Sequence, residues 1–205
     1  MKSTSTPHYK DVKAFILKET FKLVLVRNQE NITVADIESA VGFTRGAIFY
    51  YMKNKKEVIE QAISSHLFSS FNPYFPINSL HINTLNQYIE AKINHLSGIY
   101  RWLEADGIHI NIGTCFFHIL SQLEVYHPEF SKLMFDMREK DKLQWEAILT
   151  MAVANKEVET DMNVKQLASA FCDSYTGYLI YDFGQKQDTQ SNSLYFLYNL
   201  IKRKQ

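Results

Sequence analysis

Between residues 33 and 58, in the run TVADIESAVGFTRGAIFYYMKNKKEV, lie Thr33, Thr44, Arg45, Tyr50, Tyr51, Lys55 and Lys56, side chains that can bind phosphate oxygens or base edges. A guanidinium such as that of Arg45 pairs bidentately with guanine in the major groove. Lys55 and Lys56 follow Asn54 and precede Glu57, a capping pair that places both lysines in the first turn of a new helix. Cations there oppose the helix dipole at about 0.3–1 kcal/mol each. A bound phosphate would offset that cost, because the helix N-terminus and an ammonium both favour it. Gly46 and Ala47 are small enough to let a backbone approach a groove closely, although Gly46 costs about 1 kcal/mol of helix propensity.

Local signals set the elements that carry these groups. Val34, Ile37 and Val41 fall three and four apart, the spacing of one buried helical stripe. Thr33 and Asp36 make a capping box at its start, with the carboxylate near the positive end of the dipole. Gly42 ends the helix where a left-handed residue costs little, and Phe43 can close the turn with an apolar contact. Thr44 caps a second helix, whose Ile48 and Met52 point to the core while Tyr50 and Tyr51 stay outside. Two helices joined by so short a glycine turn form a helix-turn-helix, the unit that lays its second helix in the major groove.

The positions Thr33, Ile37, Gly42, Thr44, Gly46, Ile48, Phe49, Tyr51, Met52 and Lys55 together resemble the DNA-binding domain of the TetR (tetracycline repressor) family of bacterial transcription regulators, over about residues 10 to 62. The resemblance implies an all-α fold: a three-helix DNA-binding head on a larger helical body that binds a small-molecule effector and dimerises. It implies that Thr33, Tyr50 and Lys55 hold phosphates, that Thr44, Arg45, Gly46 and Ala47 face bases, and that Tyr51 lies near the groove edge. Two positions depart from the family. Tyrosine usually stands where this chain has Phe49, which removes one hydroxyl. After the first helix the family often has glycine and an apolar residue, where this chain has Asn28 and Gln29. Asn28 tolerates the left-handed conformation and would still end the helix.

Length and composition agree. The chain has 205 residues, 46% hydrophobic, enough for a sizeable core. The net charge is zero, but residues 1–62 hold ten Lys/Arg against seven Asp/Glu, and residues 63–205 hold twelve against fifteen. The positive excess therefore sits with the helix-turn-helix. The first ten residues, MKSTSTPHYK, lack the apolar core of a signal peptide, and no run of apolar residues is long enough for a membrane span. Two cysteines, Cys115 and Cys172, are too few for a disulfide framework. A cytoplasmic protein is expected, with no membrane partner, no cofactor and no metal.

Helical patterns continue almost throughout, about nine in all. The first spans Thr6 to about Arg27 with Ala14, Leu17, Phe21 and Val24 on one face. The fourth runs from Asn54 to about Ser70 and links residues 1–62, the DNA-binding domain, to residues 63–205, the effector-binding and dimerisation domain. SFNPYFPINS, with Pro73 and Pro76, is the clearest break in the pattern. Later helices are expected over about Leu85–Trp102, Gly113–Tyr126, Glu129–Asn155, Val164–Tyr178 and Asn192–Lys202. The last two carry wide apolar faces and are expected to form a homodimer, which would place two recognition helices on one face of operator DNA.

Trp102, Cys115, Phe116, Phe117, His118, Phe171 and Tyr175 lie on the segments that surround the pocket in related proteins, and suit a largely hydrophobic effector. Cys115 and His118 stand three apart on one helix, a spacing open to thiol activation or a shared metal, and equally to a packed Cys and a satisfied His. An enzyme is not indicated, since Gly-rich phosphate loops, Gly-x-Ser-x-Gly and His-Glu-x-x-His are all missing and no catalytic residue stands out. A second reading is a helical small-molecule-binding or redox-sensing (Cys115) protein whose helix-turn-helix serves mainly protein contact.

Overall fold

In a computed structural model the structure describes residues 6–69, 72–74, 82–182 and 193–203. Their regular structure is helical: α1 Thr6–Val26, α2 Val34–Val41, α3 Arg45–Tyr51, α4 Lys55–Leu67, α5 Leu85–Ala105, α6 Ile112–Tyr126, α7 Pro128–Ala154, α8 Val164–Gly177 and α9 Ser193–Ile201. A 3-10 turn, Gln29–Asn31, follows α1, and a π turn, Tyr178–Asp182, extends α8. The break around Pro76 and the start expected at Asn192 lie outside the described residues.

Two compact units result, each with its own core. The first comprises Met1–Asn72 with His118–Phe130, and the second Pro73–Phe117 with Ser131–Gln205. The expected boundary near residue 62 follows α4; by packing, the far part of α6 also belongs with the helix-turn-helix.

In the first unit, Ile16, Phe21, Val24 and Leu25 of α1 are buried together with Ile37, Ile48, Val58, Ile59 and Ile63. Ala14, expected on that face, is exposed, because the buried stripe runs instead through Ile16, Leu17, Thr20 and Phe21. Asn28 is not left-handed. It is extended (φ −62°) and caps the 3-10 turn by accepting from the Glu30 N–H. This turns Gln29 inward, where its N–H donates to Gln122 Oε1 at 2.7 Å and its own Oε1 meets His127 Nε2 at 2.9 Å. An amide thus stands buried where the resembling family often has an apolar residue. Pro128 occupies the first position of α7, where no amide hydrogen is needed.

In the second unit, α5, α7, α8 and α9 bury Tyr88, Leu96, Trp145, Leu149, Phe171, Tyr175 and Leu194. Gly113 is required by close approach: a Cβ there would stand 2.5 Å from the Leu179 carbonyl oxygen and 2.6 Å from Ile180 Cα.

Two histidines of the first unit are held below the usual imidazole value by burial: His66, stacked on Phe21 at 5.0 Å, and His127. For His127 the carboxylates of Glu60 and Glu129 oppose this shift and Lys56 adds to it. A depressed folded pKa means that the unfolded chain takes the proton first. This contribution to stability is therefore complete above the ordinary value of 6.5 and is lost as pH falls through the folded values. Melting temperatures should drop between about pH 7 and 5.5, and drop less in the double variant His66→Gln/His127→Gln, measured by circular dichroism across pH.

Candidate functional site

The helix-turn-helix is locked by side-chain caps. Thr33 Oγ1 accepts from the Asp36 N–H at 3.1 Å, and Asp36 Oδ2 accepts from the Thr33 N–H at 2.7 Å. The Asp36 carboxyl is held below its usual value by the bonds it accepts, first from the Thr33 hydroxyl, which donates to Oδ2 at 2.6 Å, then from the Thr33 N–H, and from Arg27 Nη1 at 3.0 Å. Gly42 adopts φ 71°, the left-handed cap expected there. Thr44 Oγ1 accepts from the Ala47 N–H at 3.4 Å. Glu38 on α2 accepts from the Arg45 N–H, so α2 itself fastens the start of α3.

Ile48 and Met52 are buried, whereas Thr44, Arg45, Gly46, Ala47 and Tyr50 are all exposed. The Arg45 guanidinium lies over the Phe49 ring, 5.4 Å from its centroid. The phenylalanine that stands in place of the family's tyrosine thus cushions the cation expected to read bases. A Cβ on Gly46 would meet nothing within 4 Å, so no contact inside this chain requires a glycine there.

Lys55 is not a free cation at the helix start. Its Nζ donates to the Ile32 carbonyl oxygen at 2.8 Å, an internal partner that offsets part of the dipole cost without any phosphate. The same bond carries the ammonium beside Thr33 and leaves two of its three N–H groups unused by that contact. Glu57 accepts from the Lys53 N–H at 2.6 Å and Asn54 from the Glu57 N–H at 3.0 Å, as the capping pair required. Lys56 is exposed and lies 3.6 Å from Glu60.

In the second unit Phe116, Phe171 and Tyr175 are buried in one aromatic series, with Tyr74 6.0 Å from Phe116 and 6.5 Å from Tyr175, and Phe171 stacked on Trp145 at 5.3 Å. Phe117 does not join them. It is 63% exposed, because neighbouring positions on a helix point about 100° apart and Phe116 takes the inward one. Trp102 and His118 are half-buried, and His118 belongs to the other unit. Cys115 is fully buried and its thiol is pushed up to about 11 by burial, opposite to the activation that redox sensing needs. Among the described residues no group of three His, Cys, Asp or Glu could hold a metal.

A buried ion pair beside Trp145 and Tyr175 escaped the sequence reading. Lys92 Nζ bonds to Asp141 with both side chains fully enclosed. Trp145 Nε1 donates to Asp141 Oδ2 at 3.2 Å, and the ammonium lies 5.1 Å from the Tyr175 ring centroid and 5.7 Å from that of Tyr88. Burial pushes Lys92 down and Asp141 up, and each shift is opposed by the partner's charge. The signal was a charge on an apolar stripe: Lys92 follows Leu85, Tyr88 and Ile89 on the inward face of α5.

No protein-family profile matches the chain, and neither does any curated protein. Solved structures do. A TetR-family transcriptional regulator from Cytophaga hutchinsonii is 18% identical, with 98% of this chain and 100% of that one covered and a TM-score of 0.66. A putative transcriptional regulator from Saccharomonospora viridis, in complex with choline, is 14% identical over 95% and 100%, with a TM-score of 0.62. A ketosteroid transcriptional regulator from Mycobacterium tuberculosis is 14% identical over 94% and 95%, with a TM-score of 0.60. The chain has the all-α fold of the TetR-type transcriptional regulators over nearly its whole length.

Removing one member of a buried pair strands the other, at about 3–5 kcal/mol, whereas replacing both with apolar groups is often neutral. Lys92→Met should therefore unfold at much lower urea than the wild type, and Lys92→Met/Asp141→Leu should recover most of the loss.

Proposed function

We propose that this protein is a ligand-responsive, DNA-binding transcriptional regulator that acts as a homodimer, most simply a repressor released from its operator by a small-molecule effector. One observation carries the reading: Thr44, at the cap of α3, and Arg45, Gly46, Ala47 and Tyr50 within it are all exposed, and Lys55 is bonded to the carbonyl of Ile32, the residue before Thr33. Base contacts are assigned to Thr44, Arg45, Gly46 and Ala47, phosphate contacts to Thr33, Tyr50 and Lys55, and the groove edge to Tyr51. The open space around Gly46 supports this, since a glycine that costs helix stability and satisfies no internal contact suits the close approach of another molecule.

The effector is assigned to the second unit, where Phe116, Phe171 and Tyr175 are buried and Tyr175 lies 5.1 Å from the Lys92 ammonium. Its preference for one conformation sets how far binding moves the heads: going from 99% to 1% competent takes about 5.5 kcal/mol of differential affinity. α4 joins Lys55 to the body and is assigned the transmitting role.

Dimerisation is assigned to the last two helices with a changed emphasis. The apolar face of α8 is consumed inside the protomer, and its outward positions Lys165, Gln166 and Asp173 are polar. α9 presents Phe196 and Leu200, one turn apart and 61% and 66% exposed, and these supply the apolar centre of the proposed interface.

The test is selection of a duplex from a randomised library by the full chain, followed by titration over a range of salt. Arg45→Ala should cost about 1–3 kcal/mol and relax sequence preference, while Lys55→Ala should weaken all duplexes alike and reduce the salt slope by about one per protomer. Equal binding by wild type and both variants would reject the contact assignment. Gly46→Ala should pull stability and affinity apart, with folding more stable by about 0.5–1 kcal/mol and binding to the selected duplex weaker.

A further inference from the structure

Tyr9, in the first turns of α1, carries no role so far, yet it packs against both tyrosines that end α3. Its ring centroid lies 4.6 Å from that of Tyr51 and 6.0 Å from that of Tyr50, and Tyr50 and Tyr51 meet edge-on at 5.2 Å. Three aromatic rings from two helices thus close a triangle beside the proposed DNA face. The cluster is not core: Tyr9 is 40% exposed and Tyr50 74%. None of the three hydroxyls has a hydrogen-bond partner among the described residues. Lys10 and Lys13 follow on α1, with Asp11 between them, so the surroundings carry a small positive excess.

A phenol hydroxyl is a hydrogen-bond donor that phosphate oxygens accept, and tyrosine is among the side chains that contact the DNA backbone. Such a contact adds affinity without neutralising a phosphate, so it adds nothing to counterion release. Ring packing also supplies what a long cationic side chain lacks, since each ring restrains the other two before any ligand arrives.

We propose that Tyr9, held by Tyr50 and Tyr51, completes an uncharged phosphate clamp through which α1 as well as α3 grips the DNA backbone. This rests on the DNA-binding reading above and extends the contact surface to an element outside the helix-turn-helix.

Tyr9→Phe keeps the ring and removes the hydroxyl, which separates contact from packing; Tyr9→Ala removes both. The full chain is titrated against two labelled duplexes of about 30 base pairs, one selected and one scrambled, at several salt concentrations. The Tyr9→Phe variant is expected to melt as the wild type does and to bind both duplexes about three- to tenfold more weakly per protomer, with an unchanged salt slope. Tyr9→Ala is expected to bind more weakly still. Wild-type affinity in Tyr9→Phe would overturn the clamp, as would a loss confined to the selected duplex or one accompanied by a shallower salt slope. If the wild type binds neither duplex at low salt, the DNA-binding reading falls and the clamp with it. Wild-type binding with an unaffected Tyr9→Phe rejects the clamp alone.

Discussion

The inward turn of Ile48 and Met52 is the constraint on which the proposed DNA face depends. A helix of seven residues cannot hold itself in water, so α3 exists because these two side chains, one turn apart, are buried. Once they are in place, the helical repeat turns Tyr50 to the side opposite them, while Thr44 to Ala47, at the start of the helix, stay exposed. The ends are fastened independently, by the Thr44 cap and by the Glu38 carboxylate on the Arg45 N–H. Outward residues on such an element are displayed on a supported surface, which is what recognition of a rigid duplex requires.

The remainder of the first unit repeats that logic with polar groups. Lys55 ties the start of α4 to the Ile32 carbonyl, Asp36 ties α2 to Arg27 and Thr33, and Gln29 is clasped between Gln122 and His127. Each bond spends a side chain on a backbone or loop that would otherwise be free to shift. Two of these residues, Lys55 and Thr33, are also proposed to meet phosphate, so scaffold and contact surface are partly one set of residues. A single function for Lys55 or Thr33 is therefore too simple.

The second unit is organised around a charge pair that hydrophobic packing would not choose. Enclosing Lys92 and Asp141 gains little over an apolar pair, because both ions lose their hydration. The pair does impose one alignment of α5 on α7, since any slip leaves two buried charges unmatched. Around it the rings of Tyr88, Trp145, Phe171 and Tyr175 make a packed aromatic shell. Cys115 and Cys172 are buried in the same unit, and burial pushes both thiols up to about 11.

Relations within four or five residues were legible in the sequence alone: the helices, the Thr33–Asp36 box, the Gly42 stop, the Thr44 and Asn54 caps, the first-turn place of Arg45 and the outward phase of Tyr50. Each follows from backbone geometry and a neighbour one turn away. Relations between distant segments were not. Lys92 announced itself as a charge on an apolar stripe, but its partner stands 49 residues later in the chain. The inward burial of Gln29, the outward turn of Phe117, the internal use of the α8 apolar face and the meeting of Tyr9 with Tyr50 and Tyr51 all depend on the angle at which one helix meets another. Helical periodicity specifies a face and leaves its partner open; only the packed chain decides which faces meet and which remain for another molecule.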